Sequence, residues 1–293
     1  MPKDTAKAAN EFPGFDADNW RTFERNGMLV LPGAIEVERA AALVREVDRI
    51  SALLSDLHGR EMPRFARAAA YSEMFLSLID DPLHFGFAYD LFGELTSLLY
   101  SHAFTRAPGH VADNAWHFDG PRVTTHHAYA TRLPLVLKVG WWLTDLSCSD
   151  SGNFVYLPGS HSSASMEAAG SFRPMDGEIL LKVPPGSITI MHGGLWHRVL
   201  ANRSTVTRRN LFFAYAPSWL APQERYNDLL DAPMPLSRRR RILLRAYSHP
   251  HEREAPPDED VPLLEGAKPL GTYGPGVRAG HRRYPLRIER LLG

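Results

Sequence analysis

Val37, Ala41, Val44, Val47 and Leu54 recur close to the 3.6-residue helical period, which predicts an amphipathic helix over 37–54. Upstream, "DADNWRTFERNG" predicts a short helix, with Asp16 or Asp18 as its N-cap and Gly27 as its stop. "MLVLPG" follows as a strand ended by Pro-Gly. A further helix is expected over 84–100, "HFGFAYDLFGELTSLLY". After it the pattern changes. "LPLVLKVGWWLTDL", "GNFVYLPG", "EILLKV", "GSITIMHGG" and "RRNLFFAYAP" are short β-rich runs separated by Gly, Pro and Ser. Helices followed by a series of short strands predict an α+β fold whose core is a β-sandwich or barrel.

No internal repeat or long low-complexity tract interrupts this order. Residues 1–17 read as a flexible polar tail, 18–219 as the main domain, and 220–293 as a peripheral helix with an extended tail. The chain of 293 residues has 33 Lys+Arg against 33 Asp+Glu, so no overall basic bias points to nucleic acid or an anionic membrane. The "SRRRR" run reads as a solvated helix face, because acidic residues follow at once in "EREAPPDEDVP". Cys148 is the only cysteine, which excludes an intrachain disulfide and a thiolate zinc site. No run reaches the ~18 apolar residues of a membrane span, and the N-terminus lacks the apolar centre of a signal peptide. The expectation is a cytoplasmic monomer or homodimer acting on a small molecule, with neither nucleic acid nor membrane as partner.

The chemistry starts at "NAWHFDG". On a strand, His117 and Asp119 project from the same face and could aim an imidazole and a carboxylate at one point. By itself an H-x-D triplet is more often an ordinary hydrogen-bonded pair. Residues 184–215 offer His192 and His197 as a third ligand. Two imidazoles and one carboxylate on one face of an octahedral ion make the facial triad of non-haem Fe(II) oxygenases, although a zinc hydrolase uses the same ligand types. An arginine on the following strand separates the two, since it can pair bidentately with the distal carboxylate of a 2-oxo-dicarboxylate. Arg208 stands eleven residues beyond His197, and Arg209 is its rival; a one-residue slip along a strand turns a side chain to the other face.

The chain resembles the phytanoyl-CoA dioxygenase superfamily of Fe(II)/2-oxoglutarate enzymes, in its ectoine hydroxylase-like pattern. The resemblance rests on "WHFDG", "LTDLSCSDSGNFVYLPGSH" and "WHRVLANRSTVTRRN", which occur in order, and on "FERNGMLVLPGAI" near the start. It covers roughly residues 18–217 and implies a double-stranded β-helix, a jelly-roll or cupin-like barrel with N-terminal flanking helices. It also implies that His117, Asp119 and His197 ligate Fe(II), and that Arg208 salt-bridges 2-oxoglutarate. His192 then falls to a core or supporting role. O2 would be the second cosubstrate, with ascorbate supporting turnover in vitro.

Weaker candidates surround this set. Lys138 interrupts an apolar strand and needs a partner if buried; a 2-oxoglutarate carboxylate would supply one, and an edge strand facing solvent is the alternative. The family pattern carries a small hydroxyl residue at that place. Thr105 is a further candidate cosubstrate contact. Asn153 and His161 are expected to shape their loop. "DGPRVTTHHAYATR" holds Arg122, His126, His127 and Arg132, either as a solvated loop or as a lid over an anionic or polar substrate. Trp116, Trp141 and Trp142 are expected to pack the barrel. The resulting expectation is a dioxygenase that hydroxylates an unactivated C–H bond of a small metabolite and releases succinate and CO2. A non-catalytic metabolite- or partner-binding barrel and a zinc hydrolase are the rivals.

Overall fold

Asp16 begins the first helix. Its Oδ1 accepts the backbone N–H groups of Asp18 and Asn19 at 2.9 and 2.8 Å, which satisfies donors that the first turn leaves open. Helix α1 (Ala17–Asn26) ends at Gly27, whose φ of 73° is readily adopted by glycine. The computed structural model describes residues 12–111, 114–119, 133–162, 169–230, 236–247, 249 and 263. Strand β1 (Met28–Leu31) and helix α2 (Val37–His58) follow. The buried stripe of α2 is Ala40, Leu43, Val47, Ile50 and Leu54, rotated from the expected one; Val37 is 70% exposed.

The chain divides into two compact units. One comprises Met1–Trp20, Ala69–Tyr100 and Ala214–Gly293; the other comprises Arg21–Ala68 and Ser101–Phe213. In the first unit, Phe12 and Phe15 are buried. Phe12 meets the edge of Phe85 at 5.2 Å, Phe15 lies 4.9 Å from Phe87, and the Phe15 N–H donates to Asp90 Oδ2 at 2.7 Å. The expected helix over 84–100 is only half helical. Helix α3 (Phe85–Phe92) stops at Gly93, with φ of 58°, and a 3-10 turn leads into strand β3 (Thr96–Arg106). The start of that strand is buried on both faces, polar Thr96 and Ser97 included, so it has no alternation of apolar and polar positions to tell it from a buried helix.

Helix α4 (Arg238–Leu244) carries the arginine run and is capped by Ser237 Oγ, which accepts the Arg240 N–H at 3.3 Å. Its arginines are engaged within this unit. Arg239 covers the Phe12 ring at 4.4 Å and Arg240 pairs with Asp80 at 3.0 Å, so the face is not simply solvated.

The second unit holds most of the strands: β1, β2 (Arg64–Phe65), the second half of β3, β4 (Asn114–His117), β5 (Leu137–Trp142), β6 (Phe154–Tyr156), β7 (Ile179–Leu180), β8 (Ser187–His192), β9 (His197–Val199) and the first part of β10 (Arg208–Pro217). They belong to a six-stranded sheet, ordered β1-β8-β5-β10-β3-β2, and a four-stranded sheet, ordered β4-β9-β6-β7. The ladders β1–β8, β5–β8, β2–β3, β4–β9, β6–β9 and β6–β7 are antiparallel. Phe154 of the smaller sheet meets Trp142 and Phe212 of the larger at 5.7 and 6.4 Å, which marks the interior between them. Among the described residues no helix is long and apolar enough to cross a membrane.

Phe12→Ala should lower unfolding free energy by about 3 kcal/mol in urea titrations, the cost of emptying a buried aromatic site. A change of less than about 0.5 kcal/mol, typical of surface positions, would show that this segment does not pack as described.

Candidate metal centre

Strands β4 and β9 pair so that His117 and His197 are direct partners, across an irregularity that begins after Asn114. Their ring centroids lie 4.2 Å apart. Each imidazole is oriented by its own backbone: His117 Nδ1–H donates to Ala115 O at 2.7 Å, and His197 Nδ1–H donates to Leu195 O at 2.8 Å. A carbonyl can only accept, so both protons sit on Nδ1 and both Nε2 lone pairs remain for a metal. Phe154 stacks on the His197 ring at 4.8 Å.

Asp119 follows β4, and its backbone N–H donates to Gly193 O at 3.0 Å. Gly193 belongs to the turn after β8, where a Cβ would approach Val136 Cβ and O to 2.8 Å. His192 steadies that turn by accepting the Gly194 N–H on Nδ1 at 2.9 Å. One potential ligand atom from each of His117, Asp119 and His197 lies within 4.8 Å of the others. Ligands about 2.1 Å from an octahedral ion and at right angles sit about 3 Å apart, so small side-chain rotations close the face.

The charges suit a cation. Burial would raise the Asp119 carboxyl, but the Lys138 ammonium and then His197 and His117 outweigh it, holding the group well below the usual carboxylate range. Lys138 Nζ lies 2.8 Å from Asp119 Oδ2, while Oδ1 faces His197 Nε2 at 3.8 Å. Burial pushes His197 well below its ordinary value, with the neighbouring His117 next in effect, so its imidazole is neutral at pH 7. The site thus offers an ionised carboxylate and a neutral imidazole without first losing protons.

Lys138 does not face solvent. Strand β5 lies between β8 and β10, and the ammonium sits over the Phe212 ring at 4.2 Å, with the residue 6% exposed. Gly140 makes room beside it, since a Cβ there would strike Thr189 Oγ1 and the Phe212 ring at 2.6 and 2.9 Å. Further along the interior, Arg208 is buried over Trp142 at 5.3 Å. Its guanidinium donates to Asn210 Oδ1 through Nε and Nη2, at 3.1 and 2.7 Å, and to Gly152 O through Nη1. Arg209 points the other way and pairs with Asp48 of α2 at 2.6 Å. Only Arg208 turns inward.

His192 is buried against His161 and Phe23, at 4.8 and 6.2 Å, and is not part of the triad cluster. Asn153 holds its loop through Nδ2 bonds to the carbonyls of Leu146, Cys148 and Leu181. His161 bonds the Glu24 carbonyl at 3.0 Å. Thr105 alternates with Phe104, which meets Phe212 at 5.7 Å, so strand alternation sends Thr105 to the opposite face of β3. Trp142 lines the interior, Trp141 lies under Arg39, and Trp116 lies under Arg198. Arg122, His126, His127 and Arg132 lie outside the described residues. Asn210, whose place after Arg208 favours that arginine over Arg209, orients its guanidinium; two positions were not anticipated, Phe212, which carries Lys138, and Tyr156, the cross-strand partner of His197. Alternation along "RRNLFFAY" and "NFVY" was the signal available for them.

Two imidazoles and a carboxylate converging between two β-sheets, with a buried inward arginine beyond them, describe a facial metal centre. The chain belongs to the phytanoyl-CoA dioxygenase (PhyH) family, whose model matches residues 23–210. It is similar in structure to HygX from Streptomyces hygroscopicus, solved with nickel and 2-oxoglutarate bound, at 18% identity and a TM-score of 0.58; the match covers 73% of this chain and 92% of that one. It is also similar to the non-heme monooxygenase ThoJ in its nickel complex, at 17% identity, TM-score 0.57, and 72% and 80% coverage. A third likeness is to SnoK, a non-heme alpha-ketoglutarate-dependent carbocyclase from nogalamycin biosynthesis, at 19% identity, TM-score 0.54, and 70% and 85% coverage. No curated protein sequence matches the chain.

In metal-free protein held with a chelator, Asp119→Asn should cost roughly 3 kcal/mol at pH 7, because it leaves the Lys138 charge buried without its counter-ion. The lowered carboxylate pKa makes this stabilisation complete above the unfolded value of about 4, and it fades as pH falls through the lower native value. Urea unfolding at several pH values should therefore show the gap between wild type and variant narrowing below about pH 4. A gap that widens there would contradict an ionised Asp119.

Proposed function

We propose that the protein is an Fe(II)- and 2-oxoglutarate-dependent dioxygenase on a double-stranded β-helix, hydroxylating an unactivated C–H bond of a small molecule. The observation that carries this reading is the cluster of His117, Asp119 and His197 in the same interior as the inward-turned Arg208. A hydrolytic metal site has no need of that arginine. The family supports the reading, as does the likeness to HygX, solved with nickel and 2-oxoglutarate. HygX has also been solved with hygromycin B, which is consistent with a small-molecule substrate.

The donor set fits Fe(II): two imidazoles and one carboxylate, with no thiolate to favour a softer ion. When bound, iron with 2-oxoglutarate and O2 supplies the oxidising power for C–H cleavage, with succinate and CO2 as coproducts and ascorbate maintaining the reduced metal in vitro. His117, Asp119 and His197 are the residues that would hold the ion, their donors gathered to one side of it. Arg208, its fork already oriented by Asn210, receives the distal carboxylate of 2-oxoglutarate. The aromatic wall of Trp142, Phe154 and Phe212 keeps water from the reacting centre. For Arg122, His127 and Arg132, which lie outside the described residues, contact with an anionic or polar substrate is part of this proposal.

The purified protein with Fe(II), ascorbate and 2-oxoglutarate should form succinate slowly even without substrate. His117→Ala and Asp119→Ala should abolish metal binding and succinate formation while circular dichroism stays near wild type; near-wild-type turnover in either would refute the ligand assignment.

Arg208→Ala should raise the 2-oxoglutarate Kd at least about tenfold, since losing one partner of a buried charge pair costs ~2–5 kcal/mol. Arg208→Lys should recover part of this, because an ammonium cannot reproduce the guanidinium fork. Arg209→Ala, which loses only Asp48, should leave the Kd unchanged within about twofold. Calorimetry on the metal-loaded variants measures all three. An unaltered Kd in Arg208→Ala would remove the cosubstrate assignment.

A further inference from the structure

We infer that Lys138 is a positioning residue that weakens metal binding and strengthens cosubstrate binding, by claiming one oxygen of Asp119 and repelling the cation held by the other. The inference rests on the metal and 2-oxoglutarate reading given above and adds to it a division of labour between the two carboxylate oxygens. Oδ2 is engaged by Lys138 Nζ at 2.8 Å, and Oδ1 is the oxygen that faces His197 Nε2, at 3.8 Å. The ammonium has little freedom to withdraw. Its backbone is on an internal strand, paired with Met191 of β8, and its far side is covered by the Phe212 ring at 4.2 Å.

An octahedral ion held by His117, His197 and a single Asp119 oxygen keeps three open positions. A chelating 2-oxo acid takes two and leaves one for O2. If both oxygens of Asp119 bound the metal, only two positions would remain, and cosubstrate would fill them both. Lys138 engages the oxygen that would close the third position. The same charge acts on what binds: a monocation a few ångströms from a dication opposes it, and it favours the dianionic cosubstrate. At an effective dielectric near 20 such effects exceed an order of magnitude in affinity.

Lys138→Met tests this in metal-free protein titrated with Ni(II) by calorimetry, followed by 2-oxoglutarate on the nickel-loaded protein. The Ni(II) Kd should fall about tenfold or more, and the 2-oxoglutarate Kd should rise by a similar factor. Lys138→Arg keeps the charge and should leave both constants within about threefold of wild type. Lys138→Gln, also neutral, repeats the measurement if the methionine variant does not fold. Simple structural damage would weaken both ligands together. That result, or a Ni(II) Kd that does not fall, overturns the role of Lys138 while leaving the metal centre in place. A wild-type protein that binds no Ni(II) overturns the metal centre and the inference with it.

Discussion

A carboxylate and an ammonium meeting between two sheets are the constraint around which the site is arranged. Asp119 follows the edge strand of the smaller sheet, and Lys138 projects from the middle of the larger one. Either charge alone would be costly in that interior, so their contact ties the separation of the sheets to the geometry of the site. Around the pair, each neighbour removes a freedom. The Gly193 turn fixes the Asp119 backbone, the carbonyls of Ala115 and Leu195 fix the imidazole tautomers, and Phe212 supports the ammonium. The donors are therefore held by contacts within the protein. That keeps the conformational cost of binding low and places the donors by backbone, whose position is more closely determined than that of a long side chain.

Much of this was legible from residue spacing. The H-x-D pair, the distal histidine and the arginine eleven residues on lie where strand alternation puts them, and Asn210 two residues after Arg208 shares its face. The inward turn of Arg208 over Arg209 is also a matter of alternation, once Asp48 is seen to take the second arginine. The partner of Lys138 was not legible. A buried lysine announces that it needs an anion, but the approach of Lys138 to the residue after β4 is a property of sheet packing, which local pattern does not encode. A cosubstrate carboxylate was the expected anion; Asp119 is the one present.

The misread elements have common physical causes. Residues 96–100 are buried on both faces, which erases the period that separates strand from helix, and the helix stop at Gly93 lies inside a stretch that reads as helical. Residues 12–17 look like a tail because Phe12 and Phe15 stand among polar and helix-breaking neighbours. Their burial depends on partners some seventy residues away, Phe85, Phe87 and Asp90. The arginine run of α4 reads as a surface stripe, yet Asp80 and Phe12 give two of its members fixed places. In each case long-range contact decided what composition left open.

The contact between Arg239 and Phe12 bears on how the chain is made. The two residues are more than two hundred positions apart, and both belong to a unit assembled from three separate stretches of sequence. On the ribosome, the unit that holds the triad has all its residues by Phe213, whereas the other still lacks its third stretch. Until that stretch emerges, Phe12 is without the guanidinium that covers it. Synthesis therefore passes through an interval with one unit able to close and the other still incomplete, a state in which apolar surface is open to chaperones and proteases. Variants that loosen α4 would act first on cellular yield, well before they touched the chemistry of the metal centre.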